Sequence, residues 1–84
     1  MAATFQIEIA TPEKMVLDAH VEYAEIPGKD GYMGILPGHA ALLSELGSGD
    51  LSLTAAGKTE KYKISGGYVE VRDDHVRVLA DSVE

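Results

Sequence analysis

Five places in this chain carry residue types that do chemistry elsewhere. His20, His39 and His75 offer three imidazoles, the donor set of a three-histidine metal site. No two of them are close enough in sequence to form a local ligand pair, and no Cys is available to help, so folding would have to assemble the site. Gly57-Lys58-Thr59 matches the end of a phosphate loop. The full motif needs Gly at position 52, where this chain has Ser52, and a helix afterwards, where the pattern reads as a polar strand. Gly28, Gly31 and Gly34 lack the strand-to-helix unit of a dinucleotide fingerprint. Asp73-Asp74 is a carboxylate pair, but an acid/base pair needs a pocket that drives the two pKa values apart, and a solvated turn offers none. Gly47-Ser48-Gly49 has neither the spacing nor the context of a nucleophile elbow. These residues give no support for catalysis. They point to a non-enzyme that works by contact with other proteins. The alternative is a free-standing β-sandwich binding module, or a small metal- or ligand-binding protein using His20, His39 and His75.

The elements that would position these residues are strands. Phe5, Ile7 and Ile9 alternate with Thr4, Gln6 and Glu8, the period of a half-buried strand. After a turn at Thr11-Pro12-Glu13, a strand is predicted from Lys14 to Ile26, with Met15, Leu17, Ala19, Val21 and Tyr23 on one face. Its parity slips near Tyr23, which predicts a β-bulge or a strand crossing between two sheets. Pro27 to Gly31 reads as a turn-rich loop. Gly47-Ser48-Gly49, Ala56-Gly57-Lys58 and Asp73-Asp74 read as turns, and Gly66-Gly67 as an interruption. Between them lie Leu51 to Ala55, then Tyr62 and Ile64 alternating with Lys61, Lys63 and Ser65 (Thr59 to Lys63 polar enough for an edge strand, guarded by its lysines), Tyr68 to Arg72, and Val76 to Ala80. The expectation is one all-β domain over residues 1–84, an antiparallel β-sandwich of two sheets or flattened barrel of about eight to ten short strands.

The totals agree. The chain has 84 residues, 45% hydrophobic, with a formal net charge of −7. It is long enough for one modest core. The charge repels phosphate backbones and anionic lipid heads, so nucleic acid is not an expected partner. The first residues do not resemble a signal peptide. No apolar run approaches the roughly 20 residues of a membrane-spanning helix. No cofactor is implied.

One stretch, Gly31 to Leu46, is less strand-like than the rest. Pro37 fixes φ, and Gly38 admits a positive φ, so Pro37-Gly38 is a tight turn that holds His39 in a defined place. Ala40, Ala41, Leu42 and Leu43 follow. A stiff turn beside apolar surface is either a docking edge or a plain change of direction. Ala40 to Leu46 reads as a strand with Leu42 and Leu46 inward.

Three segments resemble one family. They are Gly34-Ile35-Leu36-Pro37-Gly38-His39-Ala40 followed by Leu42-Leu43, then Ser65-Gly66-Gly67-Tyr68-Val69-Glu70-Val71, then Val76-Arg77-Val78-Leu79-Ala80-Asp81. In order and spacing they resemble the N-terminal β-sandwich domain of the epsilon subunit of F-type ATP synthase, the counterpart of mitochondrial delta. The resemblance covers essentially the whole chain. It implies a two-sheet sandwich at the foot of the rotating central stalk, between the gamma subunit and the c-ring. It implies that Lys29, Asp30, Gly31 and Tyr32 face the c-ring, and that His39, Ala40 and Leu42 face gamma. It implies a non-catalytic part in coupling proton flow to ATP synthesis. The place implied is the cytoplasmic face of the bacterial inner membrane, reached only through protein partners. Two departures stand out. Ala41 replaces the family's usual Pro. The sequence ends at Glu84, about where the family's C-terminal helical hairpin would begin, as in a shortened chain or a naturally short member, so neither inhibition nor ATP binding carries over.

Overall fold

The computed structural model describes residues 3–84, and in them the alternating runs become eight strands. These are β1 (Phe5–Ala10), β2 (Met15–Val21), β3 (Tyr23–Gly28), β4 (Gly31–Ile35), β5 (Leu42–Glu45), β6 (Ser48–Ala55), β7 (Lys58–Arg72) and β8 (His75–Val83). Hydrogen bonding links them in the order β2-β1-β8-β7-β6-β3-β4, with β5 also on β7. The strand count and the all-β class agree with the sequence pattern. The sheet does not close on itself, so the fold is an open sandwich rather than a barrel. One pair departs from the antiparallel expectation: β1 and β8 run parallel, Ile7 opposite Val76 and Ile9 opposite Val78. Pairing of the two chain ends is non-local and leaves no turn signal.

The long strand β7 joins the two layers. β5 pairs Leu42 to Glu45 with Val71 to Tyr68, and β6 pairs Ser48 to Ala55 with Ser65 to Lys58, on the same side of β7. Between them Leu46 N donates to Gly67 O at 2.9 Å and Gly66 N to Gly47 O at 3.2 Å. The two expected breaks, at Gly47 to Gly49 and at Gly66-Gly67, are therefore one bend in a continuous long hairpin. Gly66 and Gly67 have φ of 66° and 109°, which bend the strand without ending it. A Cβ on Gly67 would overlap the Leu79 carbonyl oxygen and lie 2.9 Å from Ala80 Cα, so the bend excludes any side chain there. One layer holds β2, β1, β8, the C-terminal half of β7 and β5. The other holds the N-terminal half of β7, β6, β3 and β4.

Inward positions form cross-strand rows. Leu42, Val71, Val76, Ile7 and Ala19 lie in one, and Ser44, Val69, Val78, Ile9 and Leu17 in the next. With Phe5, Val21, Ala24, Ile26, Ile35, Leu46, Leu51, Leu53, Ile64 and Ala80 these strands build a single buried cluster. The expected slip near Tyr23 is real. β2 ends at Val21, and after Glu22 the chain enters the second layer as β3, where Ala24 and Ile26 are buried. Tyr23 is thus not on the face of Val21, because the crossing reverses the parity; its hydroxyl donates to Glu25 Oε2 at 3.4 Å. Pro27 belongs to β3, opposite Tyr32, so only Lys29 and Asp30 remain as the turn. The predicted edge holds along Lys58 to Tyr62. β8 reaches Ile64, Glu84 pairs with Lys63, and no described strand flanks β7 beyond that point on this side.

Candidate functional site

The Pro37-Gly38 turn is built as its residue types require. His39 N donates to Leu36 O at 3.1 Å, and Gly38 takes φ of 83°, the geometry of a type II turn with Pro and Gly at its centre. A second anchor was not visible in the sequence. Gly38 N donates to Asp74 Oδ1 at 2.6 Å, which ties this turn to the tip of the β7–β8 hairpin. Asp73 and Asp74 have φ of 51° and 58°, the two positive values of a type I′ hairpin turn. The carboxylate pair is therefore a structural turn with one carboxylate used as a clamp. The His39 Nδ1 lies 2.7 Å from Ala40 O. Ala40 is exposed, whereas Leu42 is half-buried and turns inward onto the core.

Lys29 and Asp30 form the exposed tip of the β3–β4 hairpin, with Gly28 opposite Gly31. Lys29 N donates to Glu45 O at 3.0 Å, Gly47 N to Pro27 O at 2.9 Å, and Lys29 Nζ lies 3.3 Å from Glu45 Oε2. Tyr32 lies on the outer side of the second layer, where its hydroxyl accepts from Asp50 N at 3.1 Å. Its hydroxyl stands over Gly49, where a Cβ would overlap it, so Gly49 serves packing inside a strand. β5 separates the two predicted contact groups. Its Leu42 end meets the His39 turn and its Glu45 end meets the Lys29 hairpin, about 10 Å away along the strand.

The three histidines do not gather. His20 and His75 face the same side of the first layer with Gln6 paired between them, and His75 Nε2 contacts Glu8 Oε1. His39 sits on its own turn. Among the described residues no three His, Cys, Asp or Glu groups are placed to hold a metal.

Sequence reasoning missed the most conspicuous surface. On the outer face of the first layer, Glu45, Tyr68, Leu79, Ala10 and Met15 are successive cross-strand partners on β5, β7, β8, β1 and β2. Met15, Tyr68 and Leu79 are 53%, 54% and 54% exposed, and Leu43, diagonal to Tyr68, is 71% exposed. Ala10, Pro12, Tyr68 and Leu79 line a shallow groove of about 330 Å³. Alongside runs a charged row of Glu70, Arg77, Glu8 and Asp18. The signal was present at three positions. Leu43, Tyr68 and Leu79 are large apolar residues on the outward phase of strands whose inward phase is already apolar. Met15 departs from its expected inward position. A bulge sets Leu17 opposite Ile9 but Met15 opposite Ala10, so Val16 is the extra residue and Met15 turns outward.

Comparison with known proteins places this geometry. Residues 4–84 match the family model described as ATP synthase, Delta/Epsilon chain, beta-sandwich domain. The chain is 48% identical over its full length to the ATP synthase epsilon chain of Koribacter versatilis and 44% identical to that of Solibacter usitatus. It spans 59% and 63% of the lengths of these two relatives. Among solved structures it resembles a chain of the Euglena gracilis mitochondrial ATP synthase, described as OSCP/F1/c-ring. There the TM-score is 0.92 at 26% identity, covering all of this chain and 54% of that one. A chain of the Tetrahymena thermophila ATP synthase central stalk and c-ring shares the fold, with a TM-score of 0.82 at 17% identity, covering 99% of this chain and 67% of that one. With its whole sandwich inside the match, this chain belongs to the ATP synthase delta/epsilon chain beta-sandwich domain family.

Proposed function

We propose that the chain is the β-sandwich part of a non-catalytic rotor subunit of a proton-translocating F-type ATP synthase. It docks between the gamma subunit and the c-ring and helps couple proton flow to ATP synthesis. The single observation that carries this reading is the exposed apolar row on the outer face of the first layer, on the fold of the delta/epsilon chain family. An apolar row rimmed by charge is the usual form of a protein contact.

The row, which meets β5 at Glu45, is assigned to gamma, together with the His39 and Ala40 turn at the Leu42 end of the same strand. The Lys29, Asp30, Gly31 and Tyr32 hairpin is assigned to the c-ring. These two surfaces meet through β5, which gives torque a short, hydrogen-bonded path between them. With a net charge of −7, attachment at the cytoplasmic face of the bacterial inner membrane runs through these protein contacts rather than through lipid.

The test is co-sedimentation of the chain with the cognate gamma and c-ring rotor. Wild type is expected to bind, and Leu79→Glu to lose about 30-fold or more in affinity, the effect of losing an interface anchor worth about 2 kcal/mol. A wild-type chain that folds but does not bind the rotor overturns the reading.

A further inference from the structure

The shape of the apolar row specifies what lies on it. We infer that the partner element is a single amphipathic α-helix laid across the strands, apolar along one stripe and basic along its flanks. The inference rests on the docking role proposed above and goes on to name the partner's chemistry. Three observations carry it.

First, the row runs perpendicular to the strands. Tyr68, Leu79, Ala10 and Met15 come from four neighbouring strands, so they are spaced at about 4.8 Å. An α-helix presents one residue of a stripe about every 5.4 Å, close to this step. An extended strand laid along the same line repeats a face about every 6.8 Å and falls out of step within two contacts.

Second, the row is one side chain deep. The next row on the same face is Leu43, Glu70, Arg77, Glu8 and Asp18, apolar only at its β5 end and charged on the four strands that carry the apolar row. A second sheet stacked on this face would bury those charges. A cylinder touching along one line leaves them at its rim in water.

Third, the rim is acidic. The adjacent row holds three carboxylates to one guanidinium, and Glu45 closes the β5 end of the apolar row. Complementarity therefore calls for Lys or Arg beside the stripe of the docking helix.

The experiment places photoreactive benzoyl-phenylalanine at Tyr68, Leu79, Ala10 and Met15 in turn, in the chain assembled with the cognate rotor. The cross-linked partner residues are then mapped by mass spectrometry. The expected result is one gamma segment, touched in order at successive steps of three or four residues. Affinity is also expected to fall as ionic strength rises. Cross-links at two-residue steps, or scattered over several segments, overturn the helix while leaving docking intact. Affinity that holds or rises with salt overturns the basic flanks. Binding to the rotor with no cross-link from any of the four positions overturns the inference and moves the interface off this face. Absence of any binding overturns the docking role itself.

Discussion

The Tyr62 hydroxyl donates to Glu60 Oε2 at 3.2 Å, on the edge-strand half of β7. Burial raises its pKa above the ordinary 10.0, and the neighbouring Glu60 charge and hydrogen bond raise it further. A phenol whose folded pKa lies above its unfolded one contributes stability in full below the unfolded value. That contribution is lost as pH rises through the folded value. Unfolding free energy should therefore decline above about pH 10, and Tyr62→Phe should flatten that decline; denaturant titrations at several alkaline pH values would show it. At this scale the sequence was only partly readable. Pro37 and Gly38 announce their turn because one fixes φ and the other permits a positive φ. Nothing local announces the Asp74 clamp on Gly38, since the partners are 36 residues apart. Met15 misleads because a bulge at Val16 undoes its parity.

The bend in β7 is the element on which the sandwich turns. Gly67 sits at φ of 109° with Leu79 and Ala80 backbone against it, whereas Gly57, in the β6–β7 hairpin turn at φ of 76°, has open space around it. The same substitution should therefore behave differently at the two sites. Gly57→Ala is expected to cost about 1 kcal/mol, the strain of a positive φ alone. Gly67→Ala adds overlap with backbone and is expected to cost about 3 kcal/mol or more, a large share of a small domain's stability. Thermal or denaturant unfolding of both variants checks this, and equal losses would contradict the bend as described. The strands were readable because one face of each is buried and apolar residues recur with period two. Gly66-Gly67 was readable as a disturbance but not as a bend, because a glycine pair serves both. The parallel β1 and β8 pairing was not readable, being fixed by packing of the two ends of the chain.

For the whole molecule, charge and shape divide the labour. A formal charge of −7 opposes binding to anionic surfaces, while one largely apolar row on one face has the form of a protein contact. Sedimentation with protein-free anionic liposomes at physiological salt should leave the chain in the supernatant; lipid binding would contradict attachment through proteins. The resemblance made the family readable from three segments, and the family model matches residues 4–84. The exposed apolar row was less readable, because it is assembled from single residues on five strands that only the fold aligns. The most direct test of the proposed docking is the equilibrium affinity of the chain for the gamma subunit proposed as its partner, measured for wild type, Leu79→Glu and Leu42→Ala with folding checked in each. Leu79→Glu should lose about 30-fold or more while keeping wild-type stability, and Leu42→Ala should lose stability rather than affinity. Wild-type affinity in a folded Leu79→Glu variant would contradict the assignment of this face to the rotor.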